Sequence, residues 1–309
     1  MGQESEISYQ VPFTSDSSLT NGLRILAALG GGPPHRFQVD TGSVGILVPR
    51  RRLGPHYQKF DCSQDTEFGY VSSGRVYWGE WVKVPVILGV PAAWDGTGDF
   101  PVAEVEVFAV DRPAEFDGGV LGVGFAIGGL ADGGPTRNPL LHLTYQAANL
   151  SPGYIVSSRA IEAGLTSRNT VGFAFVALER SAAGEDWMQP IGSLGLPGGF
   201  TIDLRLLMDT GINEMLLWLR INERPPALAN YSVFPNNIEV SIAVPPAGLT
   251  TEPALQYAFI TGDLSQPMAP VRVEWRNGDA INTGRNVLAG ADYLYDAAAG
   301  RIGFRVTPG

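Results

Sequence analysis

Around Asp40 the chain reads Phe37-Gln38-Val39-Asp40-Thr41-Gly42-Ser43-Val44-Gly45-Ile46-Leu47-Val48-Pro49, which places one carboxylate on a turn of small residues between two apolar runs. Such runs are typical of buried β-strands. A second segment repeats the pattern as Leu206-Leu207-Met208-Asp209-Thr210-Gly211-Ile212, followed by the apolar run Met215-Leu216-Leu217-Trp218. The two copies lie in different halves of the chain, which predicts two turns that can face each other.

Each copy provides what a buried carboxylate needs. An aspartate among apolar residues is costly to ionise unless donors bond to it, and Thr-Gly supplies a hydroxyl and a backbone amide that can approach closely. Two adjacent carboxylates cannot both ionise cheaply, so they share a proton. One then acts as base towards a water and the other as acid towards a carbonyl oxygen. A single Asp-Thr-Gly is equally compatible with an Asx turn, but two copies in matching contexts favour a catalytic pair, Asp40 and Asp209.

Composition predicts an all-β protein. The length of 309 residues corresponds to about two domains. The chain is 44% hydrophobic and 17% charged, and its 39 Gly and 23 Pro are scattered among short β-rich runs. The net charge of −10 opposes binding to phosphate backbones and anionic lipid, so we expect no nucleic-acid partner.

Metal and nucleophilic cysteine chemistry are not expected. Cys62 is the one cysteine and His35, His56 and His142 are the three histidines, which excludes an intramolecular disulfide and makes a Cys/His metal cluster implausible. We expect a buried or half-buried thiol at Cys62, no metal and no cofactor. The N-terminus lacks an apolar signal core and residues 118–131 are too short to cross a bilayer, so we expect a soluble chain without a membrane span. We also expect the chain to be a monomer. Secretion, surface display after removal of a leader and a cytoplasmic location all stay open.

Local patterns predict the following elements. Residues 10–29 are predicted to form a hairpin that turns at Thr20-Asn21-Gly22, and residues 68–79 a second hairpin with a Ser-Ser-Gly tip. Short helices are predicted at 138–149 and 157–164. Strands are predicted at 82–88, 102–110, 171–178, 201–208, 237–244, 256–261 and 271–275.

The glycine-rich run Gly119-Val120-Leu121-Gly122-Val123-Gly124 superficially suggests a nucleotide loop. Its order is not Gly-x-Gly-x-x-Gly and no Walker lysine follows. We therefore expect a packing role, in which the glycines let this strand pass close to the Asp40 loop.

Taken together, these motifs resemble those of the pepsin-like, two-domain aspartic peptidases. The sequence of the second half is similar to a divergent bacterial branch that includes mycobacterial PE-family aspartic peptidases. Residues 37–49 and 207–211 resemble the two catalytic loops. Residues 116–125 are similar to the family's Asp-Gly-Ile-Leu-Gly-Leu-Gly segment, and Ile281-Asn282-Thr283-Gly284, with residues 293–296 and 302–304, resembles its closing segment.

The resemblance implies an all-β, bilobal acid-protease fold with a few short helices, in which residues 1–165 form the N-terminal lobe with the flap and residues 166–309 the C-terminal lobe. It implies that Asp40 and Asp209 form the catalytic dyad. It also implies that Thr41 and Thr210 are paired threonines that lock the two loops, and that Ser43 donates to Asp40. Gly42 and Gly211 would lie beside the dyad. Tyr70, Ser72 and Gly74 would belong to the flap or bind substrate.

Two departures from the family pattern bear on function. Leu47 stands where the first half usually has Trp, which removes the usual partner of the flap tyrosine. Ile212 stands where the second loop usually has a hydroxyl, so we expect Asp209 to lack the side-chain donor that Ser43 gives Asp40.

These features are compatible with three hypotheses about function. The first is an aspartic endopeptidase that hydrolyses a polypeptide held in the cleft between the lobes. The second is a peptide- or protein-binding module that keeps the fold and has little or no activity, for which the two departures argue. The third, a non-catalytic surface module, leaves the two carboxylates unexplained.

Overall fold

The computed structural model describes residues 6–59, 66–70, 74–125, 134–182, 184, 186–245 and 252–307, with Tyr70 described by its backbone alone. The protein is nearly all β. Within the described residues the only helical segments are short 3-10 turns, at Arg50–Arg52, Gly134–Arg137, Pro139–Leu141, Ile221–Glu223 and Arg285–Ala289. None of the described helical segments is long and apolar enough to cross a membrane.

The chain divides into two compact units. The first contains Met1–Ser17, Leu23–Tyr154 and Ala160–Ser167, and the second contains Ser18–Gly22, Ile155–Arg159 and Arg168–Gly309. The strands are β1 Tyr9–Pro12, β2 Arg24–Leu29, β3 His35–Asp40, β4 Val44–Pro49, β5 Gln58–Lys59, β6 Thr66–Tyr70, β7 Arg75–Leu88, β8 Val102–Arg112, β9 Val120–Val123, β10 Thr144–Tyr145, β11 Ala148–Asn149, β12 Gly153–Val156, β13 Ala160–Ala163, β14 Ala174–Ala177, β15 Ile191–Leu196, β16 Phe200–Leu207, β17 Met215–Leu219, β18 Glu239–Val244, β19 Leu255–Ile260, β20 Val273–Arg276, β21 Asp279–Asn282, β22 Ala291–Asp296 and β23 Arg301–Val306.

The first unit is built on a ten-stranded sheet in the order β11-β10-β8-β4-β9-β3-β2-β7-β5, with β6 paired to β7. Because β7 also pairs with β8, six of these strands close into a ring. Closure leaves those strands without free edges and encloses their inward side chains as a core. In the same unit, β1 pairs antiparallel with β13.

The second unit is built on an open seven-stranded sheet in the order β19-β18-β15-β16-β21-β17-β20. In the same unit, β23 lies between β22 and β14 and pairs antiparallel with both. From Trp81 to Leu88 in β7, buried apolar side chains alternate with half-buried positions, which is the period of a strand with one face on the core.

The two units share one arrangement of strands around their Asp-Thr-Gly turns. In the first, β3 pairs parallel with β9, and β9 pairs antiparallel with β4. In the second, β16 pairs parallel with β21, and β21 pairs antiparallel with β17. Each turn therefore joins two strands separated by a third, which inserts between them and fixes the turn in place.

Most predicted strands are confirmed, as is the hairpin at 68–79, which is β6 paired with β7. The hairpin at 10–29 is wrong, because β1 pairs with β13 while β2 pairs with β3 and β7. Its predicted turn is present, since the Gly22 N–H donates to the Ser18 carbonyl at 2.8 Å.

Both predicted short helices are wrong. The segment 138–149 contains one 3-10 turn capped by Asn138 and then the hairpin of β10 and β11. Gln146 and Ala147 turn that hairpin with φ of 51° and 61°, a conformation that residues other than glycine adopt rarely, so the sequence carried no turn signal. The segment 157–164 contains the strand β13 and no helix. Its pairing with β1, about 150 positions earlier in the sequence, cannot be read from local propensity.

Candidate active site

The Asp40 carboxylate ends β3 and receives one donor on each oxygen. The Gly42 N–H donates to Oδ1 at 2.8 Å, and the Ser43 hydroxyl donates to Oδ2 at 2.6 Å. Asp40 is half-buried, whereas Thr41 and Ser43 are buried. The turn therefore holds both carboxylate oxygens by contacts that lie within three residues of Asp40, including the predicted contact with Ser43.

Asp209 lies in the turn between β16 and β17 and is only 6% exposed. The Gly211 N–H donates to its Oδ1 at 2.7 Å, which matches the contact of Gly42 with Asp40. The second oxygen, Oδ2, accepts from Nδ2 of Asn282 at 2.6 Å. The expectation that Asp209 lacks a side-chain donor is therefore wrong, because a residue 73 positions further along the chain supplies one.

The orientation of the Asn282 amide is determined by its other contact. Its Oδ1 accepts the Gly284 N–H at 2.9 Å, so its NH₂ group faces Asp209. Asn282 ends β21 and is 2% exposed. The family resemblance placed residues 281–284 in a closing segment but did not indicate this role for Asn282. The signal in the sequence was a polar amide that follows an apolar residue and precedes Thr-Gly.

A buried arginine braces the second turn. The Arg285 guanidinium donates through Nη1 to the Thr210 carbonyl at 3.0 Å and through Nε to the Leu19 carbonyl at 2.9 Å. Its backbone N–H donates to the Ile212 carbonyl at 2.9 Å. Arg285 is 6% exposed, and Thr210 is buried beside it. Arg285 thus ties the Asp209 turn to the 3-10 segment that follows β21, a contact that no local sequence pattern indicates.

Strand β9 lies directly against the Asp40 turn, as predicted for the glycine-rich run. Gly122 is opposite both Asp40 in β3 and Gly45 in β4. A Cβ atom added at Gly122 would lie 2.5 Å from the Gly45 carbonyl oxygen and 2.9 Å from the Ser43 hydroxyl oxygen. Only glycine fits at this position without a shift of the turn.

Replacing Gly122 by Ala is expected to lower the free energy of unfolding by about 1–3 kcal/mol, because the added methyl group meets backbone atoms that cannot rotate away. Urea denaturation measures this loss. The matched control is Gly69→Ala in β6, where the added Cβ would lie 3.5 Å from its nearest neighbour, the Arg75 carbonyl oxygen. Equal stabilities for the two variants would contradict the close approach of β9.

Leu47, the residue that departs from the family's Trp, is fully buried in β4. It packs in a cluster with Tyr77, Phe108 and Val110, and partly buried aromatic residues such as Phe68 and Trp81 cover the cluster. The Trp81 and Phe108 rings meet edge to face, with centroids 5.2 Å apart. Aromatic side chains from β6, β7 and β8 therefore surround the leucine.

The predicted flap residues belong to the hairpin of β6 and β7. The backbone of Tyr70 pairs with Arg75, and Gly74 has a φ of 64°, which suits a turn. Ser72 lies outside the described residues, as does Cys62. The flap roles of Tyr70, Ser72 and Gly74, and the locking roles of Thr41 and Thr210, stay predictions.

The described residues contain no group of three or more His, Cys, Asp or Glu side chains that could hold a metal ion. Chemically, each turn holds a carboxylate that accepts a glycine N–H and a side-chain donor. In comparisons with known proteins, no family model matches this chain and no curated protein matches it.

Proposed function

We propose that the chain is an aspartic endopeptidase of the pepsin-like, bilobal kind, in which Asp40 and Asp209 act together on a polypeptide held between two β-rich lobes. The proposal includes a monomer that works without a metal or cofactor. Its substrate is a peptide bond of an extended chain.

One observation carries the proposal: the two aspartates have the same local construction. Each Oδ1 accepts the N–H of the glycine two residues later, and each Oδ2 accepts a side-chain donor at 2.6 Å. The strand pairing around each turn is also the same. Since a structural Asx turn needs no such duplication, the repetition favours a pair of carboxylates with a common task.

In the proposed reaction the pair begins with one shared proton. The ionised carboxylate takes a proton from a water as the water oxygen bonds to the peptide carbonyl carbon, and the protonated carboxyl gives its proton to the carbonyl oxygen. The resulting gem-diol then collapses: its C–N bond breaks as the nitrogen receives a proton from the first carboxyl. A hydroxyl of the diol returns a proton to the second carboxylate, which restores the pair.

The second candidate is a peptide-binding module with weak or no turnover. Leu47 favours it, because the buried leucine leaves no indole N–H at that position to partner a flap tyrosine. Ile212 does not favour it, since Asn282 supplies the donor that Ile212 lacks.

A hydroxyl-containing peptide analogue separates the two candidates. If the chain is a peptidase, a peptide whose scissile carbonyl is replaced by a secondary hydroxyl should bind at least about 10²-fold more tightly than the parent peptide, because it resembles the tetrahedral intermediate. Calorimetry with both peptides, beside cleavage of an unfolded polypeptide across acidic pH, measures this. Equal affinities without cleavage would favour the binding module.

A further inference from the structure

We propose that Asn282 is a positioning residue that keeps Asp209 ionised, so that Asp209 is the base that takes the proton from water and Asp40 is the acid that protonates the carbonyl oxygen. This inference rests on the proposed function for its catalytic meaning. Its basis is the difference between the two donors at the same distance of 2.6 Å, an amide on Asp209 and a hydroxyl on Asp40.

An amide NH₂ can donate a hydrogen bond but cannot accept one. Nδ2 of Asn282 therefore requires Oδ2 of Asp209 to act as an acceptor, and the Gly211 N–H requires the same of Oδ1. Asn282 cannot reverse its amide, because its Oδ1 accepts the Gly284 N–H. Both contacts favour the carboxylate form of Asp209.

The contact at Asp40 is reversible. The Ser43 hydroxyl can donate to Oδ2 when Asp40 is ionised, and it can rotate to accept a proton from Oδ2 when Asp40 is neutral. Asp40 therefore accommodates the shared proton without losing this hydrogen bond, whereas Asp209 would lose one. The proton accordingly rests on Asp40.

The charged groups near the two turns either favour an ionised Asp209 or form ion pairs with other residues. Arg285 binds the carbonyl of Thr210, next to Asp209, and its positive charge favours the ionised carboxylate. Glu214, in the same turn as Asp209, pairs with Arg272 at 3.2 Å. In the first unit, Arg137 lies near Gly45 and pairs with Glu106 at 2.9 Å.

These roles account for every proton that is transferred during hydrolysis. Asp209 takes a water proton as the C–O bond forms, and Asp40 gives its proton to the carbonyl oxygen as that oxygen receives the π electrons. Asp209 then gives its proton to the leaving nitrogen, while a diol hydroxyl returns a proton to Asp40. Asp40 again carries the proton at the end.

The test compares Asn282→Ala with Ser43→Ala, since each removes one side-chain contact of 2.6 Å from one carboxylate. Carboxyl ¹³C NMR with labelled aspartate follows each group through pH, with Asp40→Asn and Asp209→Asn assigning the signals. We expect Asp209 to ionise before Asp40. Asn282→Ala should move the Asp209 midpoint upward by about 0.5–1 pH unit, and Ser43→Ala should move Asp40 by less than half as much. Ionisation of Asp40 first, or a larger shift from Ser43→Ala, would overturn the assignment.

Two further variants serve as controls, one for misfolding of Asn282→Ala and one for a purely structural effect on the turn. Asn282→Leu keeps nearly the same side-chain volume and removes the donor without adding a charge. It should also move Asp209 upward, and it replaces the alanine variant if that does not fold. Asn286→Ala removes a different brace of the same turn, the 2.7 Å contact with the Asn213 carbonyl, and should lower stability without moving the Asp209 midpoint. An equal shift from Asn286→Ala would reduce Asn282 to a structural role.

The NMR arm does not depend on turnover. If the chain hydrolyses peptides, the acidic limb of kcat/KM should move upward in Asn282→Ala together with the Asp209 midpoint. If the titrations are as expected and no peptide is cleaved, the proposed function fails while the effect of Asn282 on Asp209 holds.

Discussion

Asn in place of Asp40 or Asp209 is expected to reduce kcat/KM for peptide hydrolysis by about 10³-fold or more, because each carboxyl carries one half of the proton exchange and acid–base catalysis contributes about 10²–10⁴-fold. Hydrolysis of an unfolded polypeptide across acidic pH measures the loss. Asp99→Asn, at an exposed position, is the control and should retain full activity. A kcat/KM within about tenfold of the wild-type value in either dyad variant would exclude the proposed pair.

The two variants should differ in stability although both are inactive. At Asp40 an amide can keep its oxygen towards the Gly42 N–H and place its NH₂ against the Ser43 hydroxyl, which can accept. At Asp209 the Gly211 N–H donates to one oxygen and the Asn282 NH₂ donates to the other, so an introduced NH₂ faces one of these donors in either orientation. We expect Asp209→Asn to be less stable than Asp40→Asn by about 1–3 kcal/mol. Thermal denaturation of both variants checks this, and equal stabilities would contradict the assigned orientation of Asn282.

The loss of Arg285 should have the largest effect on stability. Replacing Arg285 by Met is expected to lower the free energy of unfolding by about 3 kcal/mol or more, because hydrogen bonds to a charged group contribute about 1.5–3 kcal/mol each and Arg285 donates to the carbonyls of both Leu19 and Thr210. Urea denaturation gives the loss. Amide hydrogen exchange should also show faster exchange at Gly211 and Met215, since the Asp209 turn loses its brace.

Arg205→Met is the matched control for this prediction. Arg205 donates to the Gln189 carbonyl at 2.7 Å and to Glu179 at 2.8 Å, but its side chain is 35% exposed. Water replaces its contacts, so we expect a cost below about 1 kcal/mol. If both variants lost the same stability, the buried contacts of Arg285 would stabilise the protein no more than the partly exposed contacts of Arg205.

Several features of the fold follow from local patterns. The predicted strands on either side of both Asp-Thr-Gly turns are present, and so is the close approach of Gly122 to the Asp40 turn. Alternating apolar residues and the absence of a side chain at glycine are readable position by position. The donors to Asp40 are also local, since Gly42 and Ser43 lie two and three residues after it, and the family resemblance implied the contact with Ser43.

Other features depend on residues that are distant in sequence. Strand β15 was not predicted, because Gly192 and Gly195 weaken its local signal; it forms between β16 and β18, where Gly192 packs against Leu206. The pairing of β1 with β13 likewise replaced a predicted hairpin and a predicted helix, since main-chain hydrogen bonds to a distant strand outweigh local propensity.

The sequence by itself determined the two carboxylates, the glycines that approach them and the all-β class, because these depend on the chemistry of adjacent residues. Tertiary structure alone decided which side chain completes the second turn. Asn282 and Arg285 reach the Asp209 turn only because β21 inserts between β16 and β17, which brings residues more than 70 positions apart within hydrogen-bonding distance. A polar side chain beside an apolar run shows that it needs a partner, but the pairing of the strands selects the partner.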